Sequence, residues 1–297
     1  MKRLFIIAVI LLLPVSMLTA VDPLRVSGRT NDSGLRVRSG PELGDEVVGS
    51  LPFDINIEIL DISDEKTDIG DMSARWYRIR NLWNGDEIEG WAYGYFIDVN
   101  PNNLLAKAIW LNRIELIKDL IIEGADINAD LIEEGEDFTQ YELYSYVSSA
   151  LMEAVKASNA DIVTILLDAG ADIDARMILG GPGGSLSRSP LIQAVESGNI
   201  EISELLISRG ADLESTEMNF GGGTGKQEIT PLSVAVTVDN RQMVEILLSA
   251  GADVNHAVNY QQIQDTKKPG TPVDIAAEMG LTEMEDILRE YGGEPGN

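Results

Sequence analysis

Leu206-Ile-Ser-Arg-Gly-Ala-Asp-Leu213 is one of four copies of a single phrase in this chain. The others are Leu120-Ile-Ile-Glu-Gly-Ala-Asp-Ile127, Leu166-Leu-Asp-Ala-Gly-Ala-Asp-Ile173 and Leu247-Leu-Ser-Ala-Gly-Ala-Asp-Val254. The glycines at 124, 170, 210 and 251 are 46, 40 and 41 residues apart, and Gly292, after another 41, marks a degraded fifth copy. A fixed period of this size is the signature of stacked units, each covering its neighbour's apolar face.

Upstream of each phrase the chain repeats a second signal. Ser189-Pro-Leu-Ile-Gln-Ala194, Thr230-Pro-Leu-Ser-Val-Ala235 and Thr271-Pro-Val-Asp-Ile-Ala276 set a hydroxyl N-cap before a first-turn proline, and Ser149-Ala-Leu-Met-Glu-Ala154 and Asn103-Leu-Leu-Ala-Lys-Ala108 are looser versions. Four residues after the last Ala stands Asn112, Ser158, Gly198, Asp239 or Gly280, each suited to a tight turn. A second helix follows, with an apolar stripe such as Ile202, Leu205, Leu206 or Met243, Ile246, Leu247, and the glycine of the phrase ends it. The Thr-Pro-Leu opening and Gly-Ala-Asp close, in this order, resemble ankyrin repeats across 101–297. The resemblance implies about five units of paired antiparallel helices in a curved solenoid, with finger-like loops between units and protein binding as the role. The opening lacks the usual His in every copy.

Ahead of the array, from Leu24 to Val99, the apolar period is two and turn signals interrupt it often, which predicts an antiparallel β domain. Ile55, Ile57 and Ile59 share one strand face; Val26 with Leu35 and Val37, Val47 to Leu51, Trp76 to Ile79 and Gly90 to Tyr93 mark the other strands, and Asp61 to Asp71 reads as an acidic connection. Gly34-Leu-Arg-Val-Arg-Ser-Gly-Pro41, Val48-Gly-Ser-Leu51, Trp76-Tyr-Arg-Ile79 and Gly90-Trp-Ala-Tyr-Gly-Tyr-Phe96 resemble the bacterial SH3-like domain. That resemblance implies a small open barrel of five to six strands over 21–99 and, in some members, binding of cell-wall peptides. The fold class expected for the whole chain is therefore multidomain: an all-β SH3-like barrel followed by an all-α ankyrin-repeat solenoid. Trp76, Trp83, Trp91, Tyr93, Tyr95 and Phe96 either line an aromatic groove for a peptide or fill the barrel core.

Met1-Lys-Arg3, the apolar run Leu4 to Leu13, Pro14 and the small-residue exit ending at Ala20 predict a signal peptide over 1–20, cleaved after Ala20, or an uncleaved anchor as the alternative. An exported protein, periplasmic or extracellular, is expected, with association with the cell envelope as the alternative. Cysteine is absent, which excludes disulfides, thiolate metal sites and a Cys nucleophile. The net charge is −27, with −8 over 21–100 and −21 over 101–297. Such a surface repels phosphate backbones, which argues against nucleic acid and is compatible with a basic ligand.

The repeats exceed the usual 33 residues by about 13, 7, 8 and 8. The excess belongs to the fingers Asn128–Val147, Asp174–Arg188, Glu214–Ile229 and Asn255–Gly270, the leading sites for a protein or peptide partner. The first carries Phe138, Tyr141, Tyr144 and Tyr146 among carboxylates, either partner anchors or packing for their own loop. Phe220 and Tyr260 are further finger candidates, and Tyr93 and Tyr95 are candidates in the β domain. The Asp residues of the phrase, one stacked layer apart, cannot share a cation and are expected to cap turns. Gly221-Gly-Gly-Thr-Gly-Lys226 lacks the first Gly and final hydroxyl of a phosphate loop. Asp61–Asp71 lacks the ligand alternation of a calcium loop. His256 is the only histidine, so no His-rich metal site and no clear catalytic constellation is present. A non-enzymatic scaffold without cofactor or metal is the expectation.

Overall fold

The computed structural model describes residues 26–83, 86–133, 145–181, 184–221, 226–259 and 270–296. They fall into two compact units, Val21–Ala129 and Asp130–Asn297.

The first unit is built on β1 (Val26–Thr30), β2 (Leu35–Arg38), β3 (Val47–Leu51), β4 (Asn56–Ile69), β5 (Met72–Trp83), β6 (Asp86–Tyr93) and β7 (Ile97–Val99). All pairings are antiparallel, in the order β3-β2-β6-β5-β4-β1-β7. This is one open antiparallel sheet of seven strands: β3 and β7 are its edges, and among the described residues it does not close into a barrel, so what the structure bears out is the β region expected before Asn100. Period-two burial drives it, with Ile57, Ile59, Ile62, Ile79, Val37 and Leu51 at 0–2% exposure around Trp76. At Gly94 the strand-to-turn exit passes so close to the sheet that a Cβ would lie 2.6 Å from the Arg75 carbonyl and 2.7 Å from the Tyr77 ring.

The stretch Asp61–Asp71 is not a loop, contrary to the sequence expectation. β4 and β5 continue as a two-stranded arm to Ile69↔Met72, with shifts in register between Ile59 and Asp61 and between Ile62 and Lys66. A turn at Gly70 (φ 63°) and Asp71 closes it. Charged residues tolerate this strand because Ile62 and Thr67 supply its inward contacts: Thr67 Oγ1 accepts from Trp76 Nε1 at 3.0 Å, while Asp61 and Asp64 face Arg113. In the same unit follow α1 (Pro101–Trp110), capped by Asn100, and α2 (Ile114–Ile122).

Among the described residues the second unit holds four further helix pairs. They are α3 (Ala150–Lys156) with α4 (Ala160–Asp168), α5 (Pro190–Glu196) with α6 (Ile200–Ser208), α7 (Pro231–Thr237) with α8 (Arg241–Ser249), and α9 (Pro272–Met279) with α10 (Thr282–Glu290). The caps are those the sequence marks: Ser149, Ser189, Thr230 and Thr271 accept from the backbone three residues on, and Asn159, Asn199 and Asn240 do the same for α4, α6 and α8. Non-glycine residues enter the left-handed region at the inner turns, Asn112, Ser158 and Asp239 at φ 53–56°. The helix-ending glycines 124, 170, 210, 251 and 292 lie at φ 86–100°. The first helix of each pair stacks on the next, α3 on α5, α5 on α7 and α7 on α9. Leu191, Ile192, Leu206, Leu232, Met243 and Leu247 are at 0–1% exposure between the layers.

Candidate binding surface

Between helix pairs the fingers form hairpins: β8 (Leu131–Glu133) with β9 (Ser145–Ser148), β10 (Met177–Gly181) with β11 (Gly184–Arg188), and β12 (Glu217–Gly221) with β13 (Lys226–Ile229). The hairpins also pair with one another, β9 with β10 and β11 with β12, giving one six-stranded antiparallel sheet. Among the described residues the fourth finger contributes a bridge, Val258 to Gly270, and its Asn259 carbonyl accepts from the Glu228 amide at 3.4 Å.

Strand register divides the sheet into rows. Leu131, Ser148, Met177, Arg188 and Glu217 form one row across the strands, and all are 0–6% exposed, so this row meets the helices. The next row, Val147, Ile178, Ser187 and Glu228, belongs to the opposite face, where Ile178 is 42% exposed. Arg176 braces this face, its Nε donating to Ser187 Oγ at 2.7 Å and its Nη2 to the carbonyls of Ser187 and Thr216, which ties the second finger to the third.

The helix-facing row carries charge. Arg188 Nε donates to Glu217 Oε2 at 2.5 Å, and Nη1 donates to Gln193 Oε1 at 3.2 Å and to Glu196. One guanidinium thus joins a strand of each of two fingers to α5. Burial opposes its charge, yet Glu217 and Glu196 hold its pKa above the usual arginine range. For Glu196, burial pushes the carboxyl up; Arg188 opposes this and Glu217 adds to it. One repeat earlier Ser148 Oγ donates to Glu153 Oε1 at 2.6 Å, and Lys156 pairs with the same carboxylate at 3.1 Å. One repeat later the equivalent positions are Ile229, Val234 and Thr237, without charge.

At the opposite end of each finger the Asp of the recurring phrase caps its own turn. Asp126, Asp172, Asp212 and Asp253 accept from the amides of Asn128, Asp174, Glu214 and Asn255 at 2.9–3.1 Å. Those residues in turn stitch repeats together: Asp174 accepts from the Asp212 amide, Glu214 from Asp253, and Asn255 from Glu294. His256 Nδ1 lies 2.7 Å from Glu214 Oε2 within this stitch.

Of the residues expected to bind, Phe138, Tyr141, Tyr144 and Tyr260 lie outside the described residues. Tyr146 and Phe220 have described backbones only: Tyr146 shares a row with Leu179, Leu186 and Asn219, and Phe220 follows Asn219, so the two belong to opposite faces of the finger sheet. Tyr93 is a core residue, 4% exposed, with its hydroxyl donating to the Thr67 carbonyl at 2.6 Å, so it has no face to offer a ligand. Tyr95 is 52% exposed and packs edge-on to Phe96 at 5.4 Å. Trp76 fills the core and Trp91 is half-buried. Arg176, Ile178 and the Arg188 group were not legible as a site; their only sequence signal is their place inside an over-long finger. Among the described residues no cluster of three or more His, Cys, Asp or Glu is arranged for a metal, and no helix is long and apolar enough to cross a membrane.

No curated protein matches the chain. The family model for ankyrin repeats (3 copies) matches residues 105–217 and again 151–259, together more than half of the 297 residues. With five helix pairs among the described residues, left-handed turns at the repeat positions and fingers between them, the chain belongs to the ankyrin-repeat family.

Proposed function

We propose that this protein is a non-enzymatic scaffold whose fingers receive a protein partner with a basic contact surface. Ankyrin repeats generally mediate protein–protein binding, and the family is typically non-enzymatic. The observation that carries the finer reading is the lateral pairing of successive fingers into one sheet, whose face away from the helices carries Ile178 at 42% exposure. A sheet held by inter-finger hydrogen bonds is preorganised, so a partner does not have to order three separate loops on binding. The net charge of −27 favours encounter with cationic partners. The test is capture from an envelope extract by full-length protein, compared with Ile178→Glu and Phe220→Ala variants of unchanged circular dichroism; strand register sets both positions on the same face. Loss of the captured protein with either variant supports the fingers. Undiminished capture by both moves the site to the inner helices.

A second reading follows from Tyr95, an aromatic half in solvent on the β unit: an SH3-like module that holds cell-wall peptides, with the array as spacer. Co-sedimentation of full-length protein with purified cell wall, abolished by Tyr95→Ala, would favour it; no sedimentation of the wild type would remove it. Both readings assume export with cleavage after Ala20, which N-terminal sequencing of the mature protein tests; cytosolic protein with Met1 intact would overturn it.

A further inference from the structure

The charges at the outer part of the β4–β5 arm and those on the first helix pair are reciprocal. The arm presents Lys66 and Arg75 as cations and Asp61 and Asp64 as carboxylates. The first helix pair answers with Asp119 on α2, Glu123 just past its C-terminal end and Arg113 at the turn before it. Arg75 Nη2 lies 2.8 Å from Asp119 and 3.6 Å from Glu123, and Lys66 Nζ lies 2.7 Å from Glu123. In the reverse sense, Arg113 reaches Asp64 at 2.8 Å and Asp61 at 3.2 Å. Partners are 44 to 57 residues apart in sequence, so no local propensity explains the match. Arg75 is 5% exposed and donates also to the Asp64 carbonyl, which sets it beneath the arm rather than on the surface. Alongside, α1 lies against β1 and α2 against β4, with Leu116 and Ile117 at 0–1% exposure.

A stacked array leaves the apolar face of its terminal unit uncovered, and such ends require a cap with a polar outer side. We propose that the β4–β5 arm is that cap, so that β1–β7 and α1–α2 unfold together as one cooperative unit and the free recognition array starts at the second helix pair. In agreement, the compact unit runs to Ala129, past the sequence boundary near Asn100. Cutting the chain at residue 100 would strip Arg75 of its carboxylate partners and the first repeat of its cover, so a helical fragment starting there is not a faithful copy of the array.

Hydrogen exchange by mass spectrometry on the full chain tests this. Arg75→Met, or Asp119→Asn with Glu123→Gln should Arg75→Met fail to fold, is expected to raise exchange tenfold or more in peptides from 101–122 and from 61–75. Peptides from 190–208 and 231–249 should stay within twofold of wild type. Arg113→Asp should loosen the same peptides, and Asp64→Arg added to it should restore them. Unchanged protection of 101–122 would overturn the proposal by making the ion pairs superficial. A rise there matched by 190–249 would overturn it too, since the first helix pair would then unfold with the array.

Discussion

Arg188→Met isolates the buried charge group that holds two fingers to α5. The guanidinium and Glu217 are each 7% exposed at their side chains and Glu196 is 17%, so solvent screens none of them appreciably. Met keeps much of the stem's volume but removes every donor, leaving two carboxylates and the Gln193 amide without their shared partner. Removing one member of a buried ion pair costs about 3–5 kcal/mol, because the uncompensated charge stays behind. For a domain of this size a melting temperature moves about 2–4 °C per kcal/mol. A fall of roughly 6–20 °C is therefore expected by circular dichroism at neutral pH. Neutralising the orphans as well, in Arg188→Met with Glu196→Gln and Glu217→Gln, should recover most of the loss, since the penalty belongs to the stranded charges rather than to a missing attraction. A single variant melting within a degree of wild type would refute the reasoning, by showing that water reaches the carboxylates. A triple variant no better than the single one would refute the assignment of cause.

Glu196 sets a pH dependence of definite sign. Its folded-state pKa is raised, chiefly by burial, so folding favours its protonated form. The stability it contributes is complete below the ordinary carboxylate value near 4.5 and is lost as pH rises through the higher folded value. Urea titrations should then show Glu196→Gln gaining on wild type between about pH 4.5 and neutrality; a constant difference across that window would contradict the assignment. Leu206→Asp sets an unpaired carboxylate at a position of 0% exposure in α6, at a cost of several kcal/mol. Helicity should be lost cooperatively across neighbouring repeats, and a melt matching wild type would argue that the helix rotates to expose the site.

Local chemistry alone determined where each repeat begins, turns and ends. Hydroxyl-Pro openings became capped helices, Asn112, Ser158 and Asp239 took positive φ, and Gly124 to Gly292 ended helices in the left-handed region. These outcomes depend on a residue and neighbours within four positions, which is what a sequence displays. The array and the likeness to ankyrin repeats followed from them, and so did the turn-capping role of the phrase's Asp residues. Period-two alternation likewise marked a β region before Asn100, but alternation states only that a strand has two faces. Which strands become neighbours rests on hydrogen bonds between distant residues, and tertiary structure decided it: an open sheet of seven strands, with the acidic run Asp61–Ile69 paired as an arm. The same limit applies to the candidate site. That the fingers are long is written in the repeat spacing. That they pair side by side, that Tyr146 and Phe220 fall on opposite faces, that Tyr93 turns inward, and that Arg188 finds Glu217 and Glu196 all depend on register across elements up to 40 residues apart, where one residue of slip exchanges the two faces.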